Sequence, residues 1–152
     1  MATPKRNSTL LIVDDDPSMV RLLTKVLGRS LQDKINIESL TDPVEARERI
    51  NNGGIDILIT DLEMPGINGL ELLRCAKRRN VCTQVLFLTG HSTQEALLDA
   101  FELGATDYLL KPIDQEQVIE LIDQSYIRLR RWQRALADTW QQQSELAAAV
   151  KD

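Results

Sequence analysis

The sequence IDILITDLEMPG, residues 55–66, places a carboxylate at the end of an apolar run and follows it with turn-forming residues. The run is entered through Gly53-Gly54, and its continuous Ile/Leu pattern predicts a central parallel strand that is buried on both faces. In open α/β sheets, ligands bind just beyond the carboxyl ends of such strands. Asp61 therefore either belongs to a functional site or caps the loop that follows, and the other strand ends distinguish these two roles.

Length and composition predict a single globular domain with a short extension, because 152 residues can bury one sizeable core. Hydrophobic residues make up 43% of the chain and charged residues 27%, which is typical of globular proteins. No apolar run reaches the length of a membrane span and the N-terminus lacks a secretion signal, so we expect a cytoplasmic protein. Cys75 and Cys82 lack metal-site spacing and are expected to be reduced thiols. The net charge of -5 argues against nucleic-acid binding by the domain.

Five short apolar runs alternate with amphipathic segments of helical period, which predicts a doubly wound parallel α/β sheet. The predicted strands are residues 10–14, 35–40, 55–61, 85–89 and 108–110. Each helix is preceded by a residue that can cap its N-terminus, and two glycines are placed to end helices. The predicted caps are Asp16, Asp42, Asn68, Ser92 and Asp114, and the predicted helix ends are Gly28 and Gly104.

Acidic residues follow two of the predicted strands. Asp14 and Asp15 come directly after the first strand and Asp61 ends the third, so we expect all three at one edge of the sheet. Carboxylates held this close repel one another unless a cation neutralises them. Magnesium, which prefers carboxylates, carbonyls and water, is the expected cation. Asp16 is excluded from this set, since its place before Pro17 is explained by helix capping.

The fourth and fifth strands end in Thr89 and Lys111, which add a hydroxyl and an ammonium to the same edge. Such groups can hold anionic oxygens opposite an acidic cluster. Taken alone, each residue is more often an ordinary strand-end hydroxyl or a solvated charge. Their occurrence on successive strand ends favours a functional site.

As a set, these motifs resemble the receiver domain of two-component response regulators, in the CheY-like superfamily. The matching segments are VDD at 13–15, DLEMP at 61–65 with Gly69, LTG at 88–90 and YLLKP at 108–112. The resemblance covers residues 9–124 and implies a flavodoxin-like sheet of strand order 2-1-3-4-5. It also implies that Asp61 accepts a phosphoryl group from a sensor histidine kinase or a phosphotransfer protein. The chain would then be a signalling domain and not an enzyme.

The resemblance further implies a magnesium site beside Asp61. Asp15 would be a direct ligand, Asp14 a largely water-mediated one, and the backbone carbonyl of Glu63 a further contact. Thr89 and Lys111 would contact the phosphoryl oxygens.

Further positions resemble family features. Tyr108 corresponds to the aromatic residue that turns inward when Thr89 moves toward the phosphoryl group, although an ordinary half-buried strand tyrosine fits equally well. Glu63 and His91 occupy positions that, in the family this sequence resembles, tune the lifetime of the phosphoryl group, and for His91 an exposed loop residue is the simpler interpretation. The Lys111-Pro112 step resembles one that is often cis in the family.

The segment after the receiver region continues in a helical pattern without Gly or Pro. We expect an N-terminal tail at 1–8, a receiver at 9–124 and a helical extension or linker at 125–152. Apolar residues recur in the extension at seven-residue spacing, which fits either a coiled coil between two chains or a helix that folds onto its own domain. A homodimer through the last helix and this extension is therefore possible. Its basic cluster is expected to be a solvated face, formed by Arg128, Arg130, Arg131 and Arg134.

Three other functions compete with the phosphoacceptor. A phosphatase of the haloacid-dehalogenase type would use Asp14-x-Asp16 as its acid pair, but Pro17 and the capping role of Asp16 argue against it. An interaction module independent of phosphorylation would not need the complete acidic and lysine set. A nucleotide enzyme is disfavoured because no Gly-rich loop follows the first strand.

Overall fold

The computed structural model describes residues 7–31, 33–90 and 93–150, and within them five strands alternate with five helices. The strands are β1 (Ser8–Val13), β2 (Ile35–Leu40), β3 (Ile57–Thr60), β4 (Gln84–Thr89) and β5 (Asp107–Leu110). The helices are α1 (Pro17–Leu31), α2 (Pro43–Asn51), α3 (Gly69–Arg79), α4 (Gln94–Glu102) and α5 (Gln115–Val150). The alternation that the sequence predicts is confirmed.

All strands pair in parallel, in the order β2-β1-β3-β4-β5, so the predicted flavodoxin-like fold is confirmed. The register between β1 and β3 pairs Val13 with Thr60. The residues that follow these partners, Asp14 and Asp61, therefore leave the sheet side by side. Two acids far apart in sequence meet because strand register places them there.

Both faces of the sheet are covered by helices. The even-numbered residues of β1, Leu10 and Ile12, pack with residues of α1 and α5, whereas Leu11 and Val13 pack with residues of α2 and α3. Every residue of β3 is buried, as its continuous apolar pattern predicts. The site therefore sits on a rigid platform that is packed from both sides.

Several predicted strand boundaries differ from the structure by one or two residues: β1 ends at Val13 and β3 at Thr60, each one residue before the predicted end, and β4 and β5 each begin one residue earlier than predicted. β1 begins at Ser8, within the predicted tail, and β3 begins at Ile57, because residues 55 and 56 still belong to its entry loop. Asp56 in that loop accepts a hydrogen bond from the Thr9 amide at 2.8 Å, which ties the loop to β1. Asp14 and Asp61, predicted as the last residues of their strands, directly follow β1 and β3 in the structure.

Helix termini follow their capping chemistry with two corrections. Asp42 and Asn68 accept amide hydrogen bonds as predicted caps of α2 and α3. The predicted cap Ser92 lies outside the described residues, and α4 is capped instead by Thr93, whose hydroxyl accepts from the Ala96 amide at 3.1 Å. Gly28 does not end α1, which continues to Leu31, because the buried side chain of Leu31 extends the apolar face by one turn.

Helix α5 is continuous over 36 residues and does not break at Asp138. Its first half packs on the domain through Val118, Ile122, Ser125 and Leu129, all buried. The helix folds onto its own domain as far as Leu129 and projects away from it beyond that residue, and a coiled coil between two chains stays a prediction. None of the described helices combines the length and apolarity that crossing a membrane requires.

The two glycines that the sequence places at helix ends should respond oppositely to alanine. Gly28 lies inside α1 with open space where an alanine methyl would lie, whereas Gly104 follows α4 at φ +96. We expect Gly28→Ala to raise the free energy of unfolding by about 0.5–1 kcal/mol, because glycine loses more backbone entropy in a helix. Gly104→Ala should lower it by about 1–2 kcal/mol, the penalty for a left-handed alanine. Urea denaturation measures both, and a destabilised Gly28→Ala variant would contradict a helix α1 that continues past Gly28.

Candidate functional site

One ammonium group connects the acids at the sheet edge. The Nζ atom of Lys111 lies 2.7 Å from Oδ2 of Asp14 and 3.2 Å from Oδ2 of Asp61. Lys111 follows β5, while the two aspartates follow β1 and β3, so the contact joins three strands. A lysine that satisfies two carboxylates offsets the repulsion expected between them.

Asp14 is the most buried acid of the cluster, with only 1% of its surface exposed. Its Oδ1 atom accepts a hydrogen bond from the Asp16 amide at 2.9 Å. Burial raises the pKa of Asp14, and this effect outweighs the opposing hydrogen bonds from Lys111 and the Asp16 amide. Burial acts in the opposite sense on Lys111, but its bonds to Asp14 and the charges of both aspartates outweigh burial and raise the Lys111 pKa.

The donor set of the cluster fits a hard divalent cation. One carboxylate oxygen from each of Asp14, Asp15 and Asp61 lies within 4.8 Å of the others. Asp15 is exposed, so this corner of the cluster opens to solvent, while Asp14 and Asp61 are buried. Three carboxylate oxygens with access to water are the ligands that magnesium prefers.

The loop after β3 is anchored by its apolar residues. Leu62, Met64 and Ile67 are buried in the core, whereas Glu63 between them is exposed. The Glu63 amide donates to Oδ1 of Asp61 at 3.4 Å. The buried side chains therefore fix the backbone that carries Asp61 and Glu63.

Gly69 allows helix α3 to approach this loop closely. A Cβ atom at Gly69 would lie 2.3 Å from the backbone oxygen of Asp61 and 2.8 Å from Phe87, both far inside van der Waals contact. The Gly69 amide also donates to the Leu62 oxygen at 2.8 Å. The sequence motif includes this glycine, but only the structure gives the reason, which is the close packing of α3 against the backbone of Asp61.

Thr89 lies at the carboxyl end of β4 and is 1% exposed. Its backbone oxygen accepts from the Lys111 amide at 2.9 Å, so the end of β4 positions the start of the loop after β5. The Lys111-Pro112 peptide bond is cis, in agreement with the family-based expectation.

Tyr108 lies on β5 next to a surface groove of ≈ 280 Å³ between α4 and β5. The groove is also lined by Phe87, Leu97 and Phe101, and the Phe101 side chain is 79% exposed. Tyr108 itself contributes to the lining of this groove. His91, which follows β4 and also has a predicted role, lies outside the described residues.

The structure thus brings together Asp14, Asp15, Asp61 and Lys111, as predicted from their strand ends. Thr89 lies at the same edge of the sheet. The direct pairing of Lys111 with Asp14 was not predicted from the sequence, which assigns Lys111 only to phosphoryl oxygens. Which acid this ammonium contacts depends on how side chains from three strands pack at the sheet edge.

Comparison with known proteins identifies related sequences. The family profile described as "Response regulator receiver domain" matches residues 10–123. Over 114 residues the chain is 34% identical to the DNA-binding transcriptional regulator NtrC of Klebsiella pneumoniae, covering 75% of this chain and 24% of NtrC. Over 120 residues it is 34% identical to the response regulator protein PilR of Pseudomonas aeruginosa, covering 79% of this chain and 26% of PilR. The chain spans about a quarter of the length of these relatives.

Solved structures show the same fold. The response regulator receiver domain protein (CheY-like) of Methanospirillum hungatei JF-1 superimposes with a TM-score of 0.76 at 22% identity. The match covers 83% of this chain and 98% of that one.

The raised pKa of Asp14 predicts how stability depends on pH. Because folding raises this pKa, the native state holds the Asp14 proton more tightly than the unfolded chain does. The resulting stabilisation is complete below the ordinary value of 3.8 and is lost as pH rises through the folded-state pKa. Asp14→Asn removes this buried charge, so we expect its unfolding free energy to exceed that of wild type at pH 7. The difference between the two unfolding free energies should disappear below pH 3.8, where Asp14 is protonated in both states.

Urea denaturation across this pH range measures the effect in magnesium-free buffer. Asp16→Asn is the matched control, since asparagine caps a helix as well as aspartate does. A variant Asp14→Asn that is less stable than wild type at pH 7 would show that the bond to Lys111 outweighs burial.

Proposed function

The chain belongs to the response regulator receiver family, and on that premise we propose that Asp61 accepts a phosphoryl group from a phosphohistidine of a sensor kinase or phosphotransfer protein. The observation that carries the proposal is the meeting of Asp61, Asp14, Asp15 and Lys111 at one edge of the sheet. A carboxylate is a competent nucleophile when its position and the surrounding charges are fixed. Asp61 meets both conditions, because Lys111 holds its carboxylate and the buried loop holds its backbone.

The transfer exchanges one bond to phosphorus for another. An oxygen of the Asp61 carboxylate attacks the phosphorus, an O–P bond forms, and the N–P bond of the donor breaks. The bonding electrons return to the imidazole nitrogen of the donor, and Asp61 becomes an acyl phosphate. Hydrolysis of that acyl phosphate restores the carboxylate and releases inorganic phosphate. Protein groups contribute mainly by positioning and by charge neutralisation.

Magnesium is the proposed cofactor. Asp15 and Asp61 would hold it directly, Asp14 largely through water, and the Glu63 backbone carbonyl would be a further ligand. The bound ion would supply positive charge for the phosphoryl oxygens. The exposed position of Asp15 supports this assignment, because a ligand at the solvent edge leaves room for coordinated water.

Lys111 and Thr89 are the proposed contacts of the phosphoryl oxygens. Lys111 already lies within 3.2 Å of the attacking carboxylate, so a small movement of its ammonium places it against a new anion. The Thr89 hydroxyl would donate to a second oxygen. Loss of the bond between Lys111 and Asp14 is compensated by the stronger charge of the phosphoryl group.

The proposed output is a change of surface near α4 and β5. Movement of Thr89 toward the phosphoryl group would vacate space that the Tyr108 ring enters, which reshapes the groove beside Phe101. A partner protein or a second copy of the chain would then bind this face differently. Glu63 is proposed to tune the phosphoryl lifetime, since it is exposed two residues after Asp61, and His91 is proposed for the same role.

The direct test is phosphorylation of the whole chain by a small phosphodonor such as acetyl phosphate, with and without magnesium. We expect intact mass spectrometry to detect one added phosphoryl group in wild type only with magnesium. Asp61→Asn should take up none, because an amide does not replace the carboxylate as a nucleophile. Asp16→Asn should behave like wild type, since the Asp16 side chain caps α1 through the Ser18 amide at 2.9 Å and the substitution keeps the backbone amide that donates to Asp14.

Two outcomes would overturn the proposal. Uptake that survives in Asp61→Asn would place the acceptor elsewhere. Turnover of phosphomonoesters that is lost in Asp14→Asn but retained in Asp61→Asn would instead favour the phosphatase that uses Asp14 and Asp16. The capping bond of Asp16 to Ser18 argues against that second result, because it already engages the carboxylate that would serve as the acid.

A further inference from the structure

The projecting half of α5 exposes large apolar side chains. Apart from Gln133, which is partly covered, every residue from 131 to 150 is exposed to solvent. The exposed fractions of the apolar residues here are Trp132 57%, Leu136 53%, Trp140 73%, Leu146 66% and Val150 86%. Contiguous apolar surface of this kind marks an interaction site.

These side chains form one stripe along the helix. The first series recurs every seven residues and consists of Leu129, Leu136, Gln143 and Val150. A second series lies three residues further along, after each of Leu129, Leu136 and Gln143. That second series is Trp132, Thr139 and Leu146. The two series are the a and d positions of a heptad repeat, which is the pattern of a coiled coil.

The stripe continues the face by which α5 packs on its own domain. Ile122 and Leu129 occupy the a positions and Ser125 a d position, and all three are buried by the domain. A seven-residue repeat drifts by only about 20° per heptad around a straight helix. Consider a partner helix that packs along the stripe in the direction of the N-terminus of α5. Such a helix meets the body of the domain just before it passes Trp132.

We propose that the exposed stripe of α5 pairs with the stripe of a second copy of this chain in an antiparallel coiled coil. In a parallel pair, the helix of the partner would continue along the a/d face of α5 past Leu129, into the space that the domain occupies. An antiparallel partner instead ends at Val150 beside Trp132, where the domain begins. The two domains then lie at opposite ends of the coiled coil and do not collide.

One antiparallel register matches the residues of the stripe. Centred on Gln141, it places Trp132 opposite Val150, Leu136 opposite Leu146 and Thr139 opposite Gln143, with each pair occurring twice. Each layer joins an a residue to a d residue. Apolar groups meet apolar groups, and the central layers pair a hydroxyl with an amide that can hydrogen-bond to it. Polar layers of this kind fix register and orientation.

The charges of the extension favour the same orientation. Four arginines lie in its first part, at 128, 130, 131 and 134, and the acids Asp138 and Glu145 lie further along. A parallel pair would bring the two arginine clusters together, whereas the antiparallel pair separates them and places Arg134 within three residues of the position of the partner's Glu145. Complementary charge contributes to the choice of orientation more than to affinity.

The stripe is large enough for a stable contact. Residues 132–150 span about 27 Å of helix. Trp132 lies in a d layer and Trp140 at the adjoining e position, and a buried tryptophan covers roughly 150–250 Å², so the four indoles of a dimer would contribute up to about 600–1,000 Å². The leucines and valines bring the contact toward the roughly 1,200 Å² of a small specific interface. This association does not depend on phosphorylation of Asp61, so either proposal can fail without the other.

Orientation is tested by disulfide formation in the whole chain. In a background with Cys75→Ser and Cys82→Ser, one protein carries Thr139→Cys and a second, with an affinity tag, carries Gln143→Cys. Mild oxidation of the mixture should yield the tagged–untagged disulfide, because these positions face each other in the antiparallel register. A parallel pair would instead place position 139 opposite position 139 and position 143 opposite position 143, and disulfides require Cα atoms within about 7 Å. Untagged–untagged and tagged–tagged disulfides as the main products would therefore overturn the proposal.

Affinity is tested by sedimentation equilibrium of the unmodified chain. We expect a monomer–dimer equilibrium whose dissociation constant rises at least about tenfold in Leu136→Asn, because a packed apolar layer becomes polar. Leu136 is exposed in the monomer, so the variant should fold normally. Ala137→Asn, on the adjacent outer face, is the matched control and should dimerise like wild type. A monomer at every concentration, or a dimer unaffected by Leu136→Asn, would overturn the proposal.

Discussion

The ion pairs of Lys111 with Asp14 and Asp61 connect the ends of three strands, and the arrangement of the site depends on them. Parallel pairing places the two acids side by side, and their mutual repulsion would open the sheet edge if no cation lay between them. Lys111 supplies that cation from β5. The cluster is thus held together in the resting protein by the same ammonium that we propose as a phosphoryl contact.

The backbone around the site is held in place by residues that take no part in the proposed reaction. Leu62 and Met64 anchor the loop after β3 in the core, and Gly69 lets α3 pack against the Asp61 backbone oxygen without a clash. The cluster above them combines burial of Asp14 with exposure of Asp15. One side of the site is therefore fixed and dry, and the other is open to a cation and to a phosphodonor.

The sequence predicts the ends of β1 and β3 to within one residue because a strand buried on both faces excludes charged side chains, so the first acid marks where it stops. Asp14 and Asp61 follow from that rule, and their proximity follows from parallel pairing. The predicted end of α1 was wrong, because glycine frees the backbone without forcing a turn, and the apolar contact of Leu31 extends the helix past Gly28. Which acid Lys111 contacts depends on side-chain packing across three strands, and no local pattern encodes it.

The most direct measurement is a crystal structure of the whole chain with magnesium and beryllofluoride, a mimic of the phosphoryl group. We expect beryllofluoride bonded to an Asp61 oxygen, magnesium bound among Asp14, Asp15 and Asp61, and the Lys111 ammonium moved from Asp14 to a fluoride. A structure in which Asp61 carries no beryllofluoride while Lys111 remains paired with Asp14 would contradict the proposed role of Asp61 as the phosphoacceptor.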